Sequence, residues 1–377
     1  MKEKKVDCIV VGLGAMGSAA AYHLSKNRIK VIGLEQFQCA HNRGSSHGET
    51  RLIRKAYFEH PDYVPLLERS YELWRELEER LETKVLHQTG LVIFGDPDTS
   101  QVLEGVRASA LKYQVSIEEW DSAIISKRFP QARVPSSLMG LYEPTGGYLE
   151  VEHCVEAHCE AAKRLGAELH FNEKVIGWEK RGTSYQVETD RQTYLAEKII
   201  FTAGAWMGQF LPKMNPYLKV HRAPLYWFAS NGNFKKENGV PCFAFDLPEG
   251  FFYGFTESHS KIKLALHQPL GVVSDPESED RTLKASEGES VRSFVKRFLV
   301  GLDSHEVNGE LCFYTMSPDT HFIIDQVPGC AGAFFAGGFS GHGFKFSSAV
   351  GEVLSDWVVQ GKSSLPTQFL SAKRFQE

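Results

Sequence analysis

The sequence is poor in the features that mark several large protein classes. No apolar run approaches the ~18 residues of a membrane-spanning helix. The opening Met1-Lys2-Glu3-Lys4-Lys5 has no apolar signal core and no small-residue cleavage site, so a cytoplasmic protein is expected. Basic residues are not in excess: 42 Lys and Arg face 47 acidic residues, a formal net charge of -5. That balance speaks against nucleic acid or an anionic membrane as a partner. No internal repeat and no low-complexity tract is visible. Cysteine is sparse and scattered, at Cys8, Cys39, Cys154, Cys159, Cys242, Cys312 and Cys330. A chain of 377 residues can build cores without disulfide staples, so mostly free thiols in a reducing compartment are expected. Glycine and histidine are plentiful by contrast, with 33 and 14 residues.

Where the glycines cluster is informative. Val6 to Val11 is a β-favouring run of the kind buried on both faces of a sheet. It leads directly into Gly12-Leu13-Gly14-Ala15-Met16-Gly17, and an Ala-rich helical pattern follows over residues 15–26. A second apolar run over 31–34 ends at Glu35, completing a βαβ unit. In such a unit the first glycine permits the tight turn and the second admits a pyrophosphate. The third, Gly17, lets helix and strand approach closely. The helix N-terminus offers free N–H groups to phosphates. Glu35 stands where an acid accepts hydrogen bonds from ribose hydroxyls and disfavours a ribose phosphate, so a dinucleotide other than NADP is expected.

Later segments are read as helices over 66–82 and 152–165, the latter closed by Gly166, and as strands over 167–175, 184–189 and 197–203. Residues 229–240 are read as a polar loop and 274–290 as a solvated acidic stretch. Near the end, a strand over 333–339 breaks into Gly337-Gly338-Phe339-Ser340-Gly341-His342-Gly343-Phe344-Lys345, and a helix spans 346–360. This second glycine cluster favours FAD over NAD. In many flavoproteins the chain leaves the dinucleotide fold, builds a substrate domain and returns to close over the isoalloxazine. Backbone N–H groups in such a loop can polarise the pyrimidine edge of the ring.

Six ordered landmarks then carry a likeness. They are Gly44-Ser45-Ser46-His47-Gly48-Glu49-Thr50-Arg51-Leu52-Ile53-Arg54, Tyr253-Gly254-Phe255, Ile262-Lys263-Leu264-Ala265-Leu266-His267, Cys312-Phe313-Tyr314-Thr315, His321-Phe322-Ile323-Ile324-Asp325 and Gly338 to Lys345. With them the sequence resembles, over nearly its whole length, the monomeric sarcosine oxidase and N-methyltryptophan oxidase family. These are FAD enzymes of the D-amino-acid-oxidase-like superfamily. Two departures stand out: Ser46 replaces a frequent second histidine, and Glu49 replaces a common aspartate.

The resemblance implies an α/β fold in which a Rossmann-type FAD-binding domain (1–85, 150–215 and 320–377) is interleaved with a substrate domain (86–149 and 216–319) built on a large mixed β-sheet. It implies covalent attachment of FAD through Cys312, Arg51 and His47 beside the flavin, and Lys263 as the dioxygen-activating cation. Arg54 and Lys345 would hold a substrate carboxylate, with Tyr253 and His267 lining the substrate side. Met16, Gly44, Ser45, Thr50, Val175, Gly204, Gly341 and Gly343 complete the implied cofactor set with Gly12, Gly14, Gly17 and Glu35. The implied reaction is oxidation of an N-methyl amino acid by dioxygen, giving the primary amino acid, formaldehyde and hydrogen peroxide, in a monomeric protein. Ala244 aligns with a bulkier pocket-lining residue of sarcosine oxidases, which tips the expectation toward N-methyltryptophan over sarcosine. The chemistry suits these residue types: paired cations fix a carboxylate, and positive charge beside the ring stabilises reduced flavin and superoxide.

Other readings are weighed against this one. An FAD-dependent oxidase or dehydrogenase of cyclic imino acids such as pipecolate or proline would share the same cofactor signals. A non-catalytic dinucleotide sensor would not need Arg51, Arg54, Lys263, Cys312 and Lys345 together. His153-Cys154 and His158-Cys159 imitate a metal cluster but lack a companion pair at suitable spacing, so packing is expected and no metal. Asp319, His321 and Asp325 imitate part of a triad, with no serine expected in a nucleophile elbow. Leu67, Tyr71, Trp74, Leu77 and Leu81 recur at helical spacing, as a core stripe would.

Overall fold

A computed structural model describes residues 4–375; Met1 to Glu3, the start of the segment read for a signal sequence, lie outside them. The strand Lys4–Val11 runs parallel to Val31–Leu34 on one side and to Thr193–Phe201 on the other. Its second half is wholly buried, as its Val and Ile content requires. Glu168–His170 extends the parallel set beyond Val31–Leu34, and Ala333–Gly337 joins it beside Ile199–Phe201. Ile323–Gln326 and the ribbon of Val175–Arg181 with Ser184–Thr189 add antiparallel strands, making an eight-stranded sheet. The helices Ala15–Lys26, Val64–Leu81, Val151–Arg164 and Ser347–Gln360 pack together over one core with it.

The second eight-stranded sheet runs Leu302–Met316, Lys219–Ser230, Lys261–Leu266, Gly250–Gly254, Cys242–Leu247, Leu91–Gly95, Met139–Glu143 and Glu118–Trp120. Only the Cys242–Leu247 and Leu91–Gly95 pair is parallel. The helix Glu289–Phe298 buries Val291, Phe294, Val295 and Phe298 among this sheet's aromatic side chains. A short three-stranded sheet of Thr50–Ile53, Gly147–Glu150 and Leu86–His87 lies apart from both. Among the described residues no helix is long and apolar enough to cross a membrane.

Several expectations need correction. The strand expected over 167–175 is two strands, because Asn172 takes a left-handed φ of 55° and Glu173 turns inward. The buried Glu173 carboxylate accepts from Thr189 Oγ1 at 2.8 Å and from the Tyr194 hydroxyl at 2.7 Å. In the stretch 229–240, the strand Lys219–Ser230 reaches into the supposed loop, and Phe234 is wholly buried. The acidic stretch 274–290 is not simply solvated. Arg222, with only 4% of its side chain exposed, ion-pairs with Glu279 and Glu287 at 2.6 Å each. It also donates to the Asp280 and Thr282 carbonyls, so this segment wraps a buried cation.

The expected stripe of Leu67, Tyr71, Trp74 and Leu77 is core, with Leu81 packed at its edge. Cys154, His158 and Cys159 are buried as well, and the His158 ring lies 5.0 Å from that of Trp74. Gly44-Ser45-Ser46-His47-Gly48 does spell GxSxG, the spacing of a nucleophile elbow. It lies in the loop before Thr50–Ile53, not at a strand-to-helix turn, and so is no nucleophile elbow.

Candidate functional site

The C-terminal end of Lys4–Val11 opens onto a cleft of about 1200 Å³, its mouth included. Gly12, Gly14 and Met16 form one wall at the N-terminus of Ala15–Lys26. Gly17 lies beneath that wall, where a Cβ would collide with the Gly12 carbonyl oxygen, so only glycine permits this contact of turn and helix. Glu35 reaches the cleft at the end of Val31–Leu34. Its carboxylate accepts from the Leu13 N–H at 2.9 Å and the Phe37 N–H at 3.1 Å, which fixes its oxygens at the cleft surface. Val175 and Gly204 line the same end, while Gly44, Ser45 and Arg51 line the middle. Ser46 Oγ accepts from the Ala15 N–H at 3.2 Å, tying the middle loop to the helix terminus.

The late glycine loop closes the far end, contributing Gly341 and Gly343. Gly341 has φ +81° and a Cβ there would overlap the Tyr314 ring, so its conformation and its space both call for glycine. A second cavity of about 470 Å³ adjoins the cleft and shares Arg51, Gly341 and Phe344 with it. Arg54, Tyr253, His267 and Lys345 all line this smaller cavity.

Its electrostatics are unusual. Arg54 lies between the Tyr57 and Phe58 rings, 4.5 and 4.4 Å from their centroids, and its Nε is buried without a partner. Burial pushes the Lys345 ammonium well below its usual pKa, and Arg54 adds to the effect. Lys345 Nζ donates to the His342 carbonyl at 2.6 Å. Burial also lowers His267 to about 4 and His342 to about 3, so both are neutral at pH 7. His267 Nδ1 lies 3.2 Å from the Tyr314 hydroxyl.

Four further expected residues form a layer behind the shared wall. Cys312 is fully buried, with its sulfur 3.1 Å from Arg51 Nη2. Burial pushes this thiol up, but His47, Arg51 and Lys263 outweigh burial and bring it to about 6. His47, 2% exposed, pairs through Nδ1 with Glu310 at 3.2 Å. Burial opposes its charge, yet Cys312 and Glu310 raise it to about 9. Lys263 Nζ donates to the Gly48 carbonyl at 2.6 Å and also to the Thr50 carbonyl, with burial holding its pKa well below the usual value. Lys263, His47, Thr50 and Cys312 therefore support the wall without lining either cavity.

Ala244 corrects the expectation built on it. It is wholly buried opposite Tyr253 in the sheet and does not line the smaller cavity. Two residues were not anticipated. Glu59 sits in the smaller cavity against Arg54, and nothing in its sequence context marks it. Glu310 did leave a signal: two residues before Cys312 in a strand, it shares that residue's face.

Comparison with known proteins agrees with this geometry. A family model described as "FAD dependent oxidoreductase" matches residues 7–357. A monomeric sarcosine oxidase of Streptomyces avermitilis is 38% identical over 376 residues, covering 98% of this chain and 97% of the relative. An N-methyl-L-tryptophan oxidase of Citrobacter koseri is 35% identical over 363 residues, covering 95% and 96%. In structure, the chain resembles NikD, described as an unusual amino acid oxidase essential for nikkomycin biosynthesis, with a TM-score of 0.85 at 22% identity and coverages of 98% and 97%. An L-proline dehydrogenase from P. horikoshii gives 0.86 at 20% identity, with coverages of 100% and 99%. The last two likenesses concern the fold alone.

Proposed function

The chain belongs to the FAD-dependent oxidoreductase family, and on that premise we propose that it oxidatively demethylates a secondary N-methyl amino acid, with sarcosine and N-methyl-L-tryptophan as the candidate substrates. The observation that carries the reading is the pair of adjoining cavities. The larger is lined by Gly12, Gly14 and Glu35 of the βαβ unit, and the smaller holds Arg54, whose buried Nε lacks a partner, beside the buried Lys345. A buried donor with no acceptor is costly unless a ligand supplies one, and a carboxylate is the matched acceptor for a guanidinium.

In this reading FAD occupies the larger cleft. The helix terminus at Gly14 and Met16 would take its pyrophosphate, Glu35 its ribose hydroxyls, and Gly341 and Gly343 would lie at the ring end. A bound FAD would supply the electron acceptor for oxidation at the C–H bond next to nitrogen and the centre that dioxygen reoxidises. The protein's own work is positioning. Arg54 and Lys345 hold the carboxylate, and Tyr253 and the neutral His267 face the amine, where the His267 ring can accept a hydrogen bond from it. Arg51 and Lys263 set positive potential behind the ring site. Segments 1–85, 150–215 and 320–377 would form the FAD domain and 86–149 with 216–319 the substrate domain, in a monomeric protein. The Cys312 sulfur is the anchor for covalent attachment, a role suited to a thiol brought to about 6.

Incubating the purified protein with each amine under air, and measuring formaldehyde and peroxide together, tests the reading. Equal yields of both products from either amine are expected. Oxidation of proline or pipecolate without formaldehyde would replace it. Acid precipitation tests the anchor separately: a yellow pellet is expected, and a white pellet under a yellow supernatant removes Cys312 from that role.

A further inference from the structure

Cys312 and Glu310 alternate with Leu311 in the strand Leu302–Met316, so both side chains leave the same face. Between them stands His47, from the loop before Thr50–Ile53. Its Nδ1 lies 3.2 Å from Glu310 Oε2. Its Nε2 is buried with no hydrogen-bond partner. Charge on the Cys312 sulfur raises the ring's proton affinity and charge on the ring lowers that of the sulfur, Cys312 standing two residues from Glu310 on the same strand face. Because the carboxylate occupies Nδ1, Nε2 is the nitrogen left for the sulfur. The order is therefore carboxylate, imidazole, sulfur. A base oriented by a third group beside a nucleophile is the arrangement that activates weak nucleophiles elsewhere.

We propose that Glu310 is a positioning residue for Cys312: it accepts the Nδ1 proton of His47, fixes the ring, and keeps the imidazolium against a thiolate ready to bond to FAD. This rests on the reading that Cys312 is the flavin anchor. Glu310 is 38% exposed whereas His47 is 2% exposed, so the carboxylate stays hydrated while it orients a ring that has no other carboxylate partner among the described residues. The other charged or titratable groups facing the sulfur are Arg51, Lys263, Tyr253, Tyr314 and Arg281. The arginines and the lysine favour a thiolate on charge alone; the arginines cannot exchange a proton with it as an imidazole can, and Lys263 Nζ is held by the Gly48 and Thr50 carbonyls. In the attachment step a C–S bond replaces one C–H bond of the ring methyl. The thiol proton, the methyl hydrogen and the bonding electron pair pass to the flavin, and dioxygen removes two electrons and two protons as hydrogen peroxide.

The test uses the full chain produced without flavin in a riboflavin-depleted host, with Glu310→Gln and Glu310→Asp as variants. Alkylation of Cys312 by iodoacetamide is followed against pH by mass spectrometry of its peptide. Covalent uptake of added FAD is followed in parallel. In Glu310→Gln, alkylation at pH 6 should slow about five- to tenfold and covalent uptake should slow comparably, with Glu310→Asp largely restoring both. An unchanged alkylation profile in Glu310→Gln overturns the proposal. A shifted profile in a protein whose native form takes up no flavin covalently supports the positioning role and overturns the anchor reading instead.

Discussion

Arg54 and Glu59 are paired inside the smaller cavity, with Arg54 Nη2 lying 3.0 and 2.9 Å from the two carboxylate oxygens of Glu59. Burial disfavours that carboxylate's charge, but Arg54, His342 and Lys345 more than compensate and hold its pKa below the usual value. An internal anion thus sits against the guanidinium proposed to bind a substrate carboxylate. Glu59→Gln should therefore tighten binding of a simple carboxylate such as acetate about tenfold, or ~1.4 kcal/mol. Titration of the flavin absorbance reads this directly, and weaker binding would show that Glu59 holds Arg54 in place instead of competing for it.

Lys263 is buried between the Gly48 and Thr50 carbonyls, with its proton affinity lowered. A negative charge formed on the other side of the wall should raise that affinity and be stabilised by the ammonium. Methionine cannot respond in this way, so Lys263→Met should slow reoxidation of reduced enzyme by dioxygen about a hundredfold or more and reduction by substrate far less. Stopped-flow measurement of the two half-reactions checks the split; equal slowing of both would defeat the role.

Four buried histidines set an acid limit. His23, His158 and His342 are lowered to about 3 and His267 to about 4, in each case chiefly by burial. The unfolded chain takes up these protons near pH 6.5, whereas the folded chain refuses them until pH 4 to 3. Stability is therefore complete above pH 6.5 and falls progressively below it, by about 2 kcal/mol for each histidine at pH 5. The unfolding temperature should drop steeply between pH 6.5 and 4. His158→Leu, in the core away from both cavities, should flatten that slope.

Arg222 organises the acidic segment 274–290. Replacing it with methionine strands the Glu287 carboxylate, which is only 9% exposed, and should cost about 3–5 kcal/mol. Faster amide exchange across residues 274–287 together with a lower urea midpoint would report it. A lower midpoint with unchanged exchange in that segment would place the damage elsewhere.

Gly17→Ala forces a Cβ onto the Gly12 carbonyl and the Thr202 hydroxyl. The turn proposed to receive the pyrophosphate must then open, and the variant should purify without flavin, as the visible flavin absorbance relative to protein would show.

Much of the nucleotide end could be read in the sequence because its causes are local. A strand, three glycines at fixed spacing, a helix and Glu35 each follow from neighbours within one βαβ unit. The shared wall could not be read that way. Arg51, Lys263 and Cys312 come from three distant segments, and only the family likeness joined them. Glu59 was invisible because its partners, Arg54, His342 and Lys345, meet only in the folded chain. The acidic stretch misled for the same reason: its charges looked solvated until Arg222, some 60 residues away in sequence, supplied a buried counter-ion (about 65 positions to Glu287). Ala244 shows the limit of alignment, since a position can match a pocket residue and still point into the core.

The parallel strands beside Lys4–Val11 come from Thr193–Phe201 and, one place further, Ala333–Gly337. On the ribosome, then, the first glycine turn emerges long before the strands and the late loop that complete its cleft. Flavin loading must wait for the late loop, and any premature stop before Gly343 leaves a protein that has the fingerprint but no closed cradle. For such a chain the timing of synthesis, not the strength of the nucleotide motif, governs when the cofactor can be held.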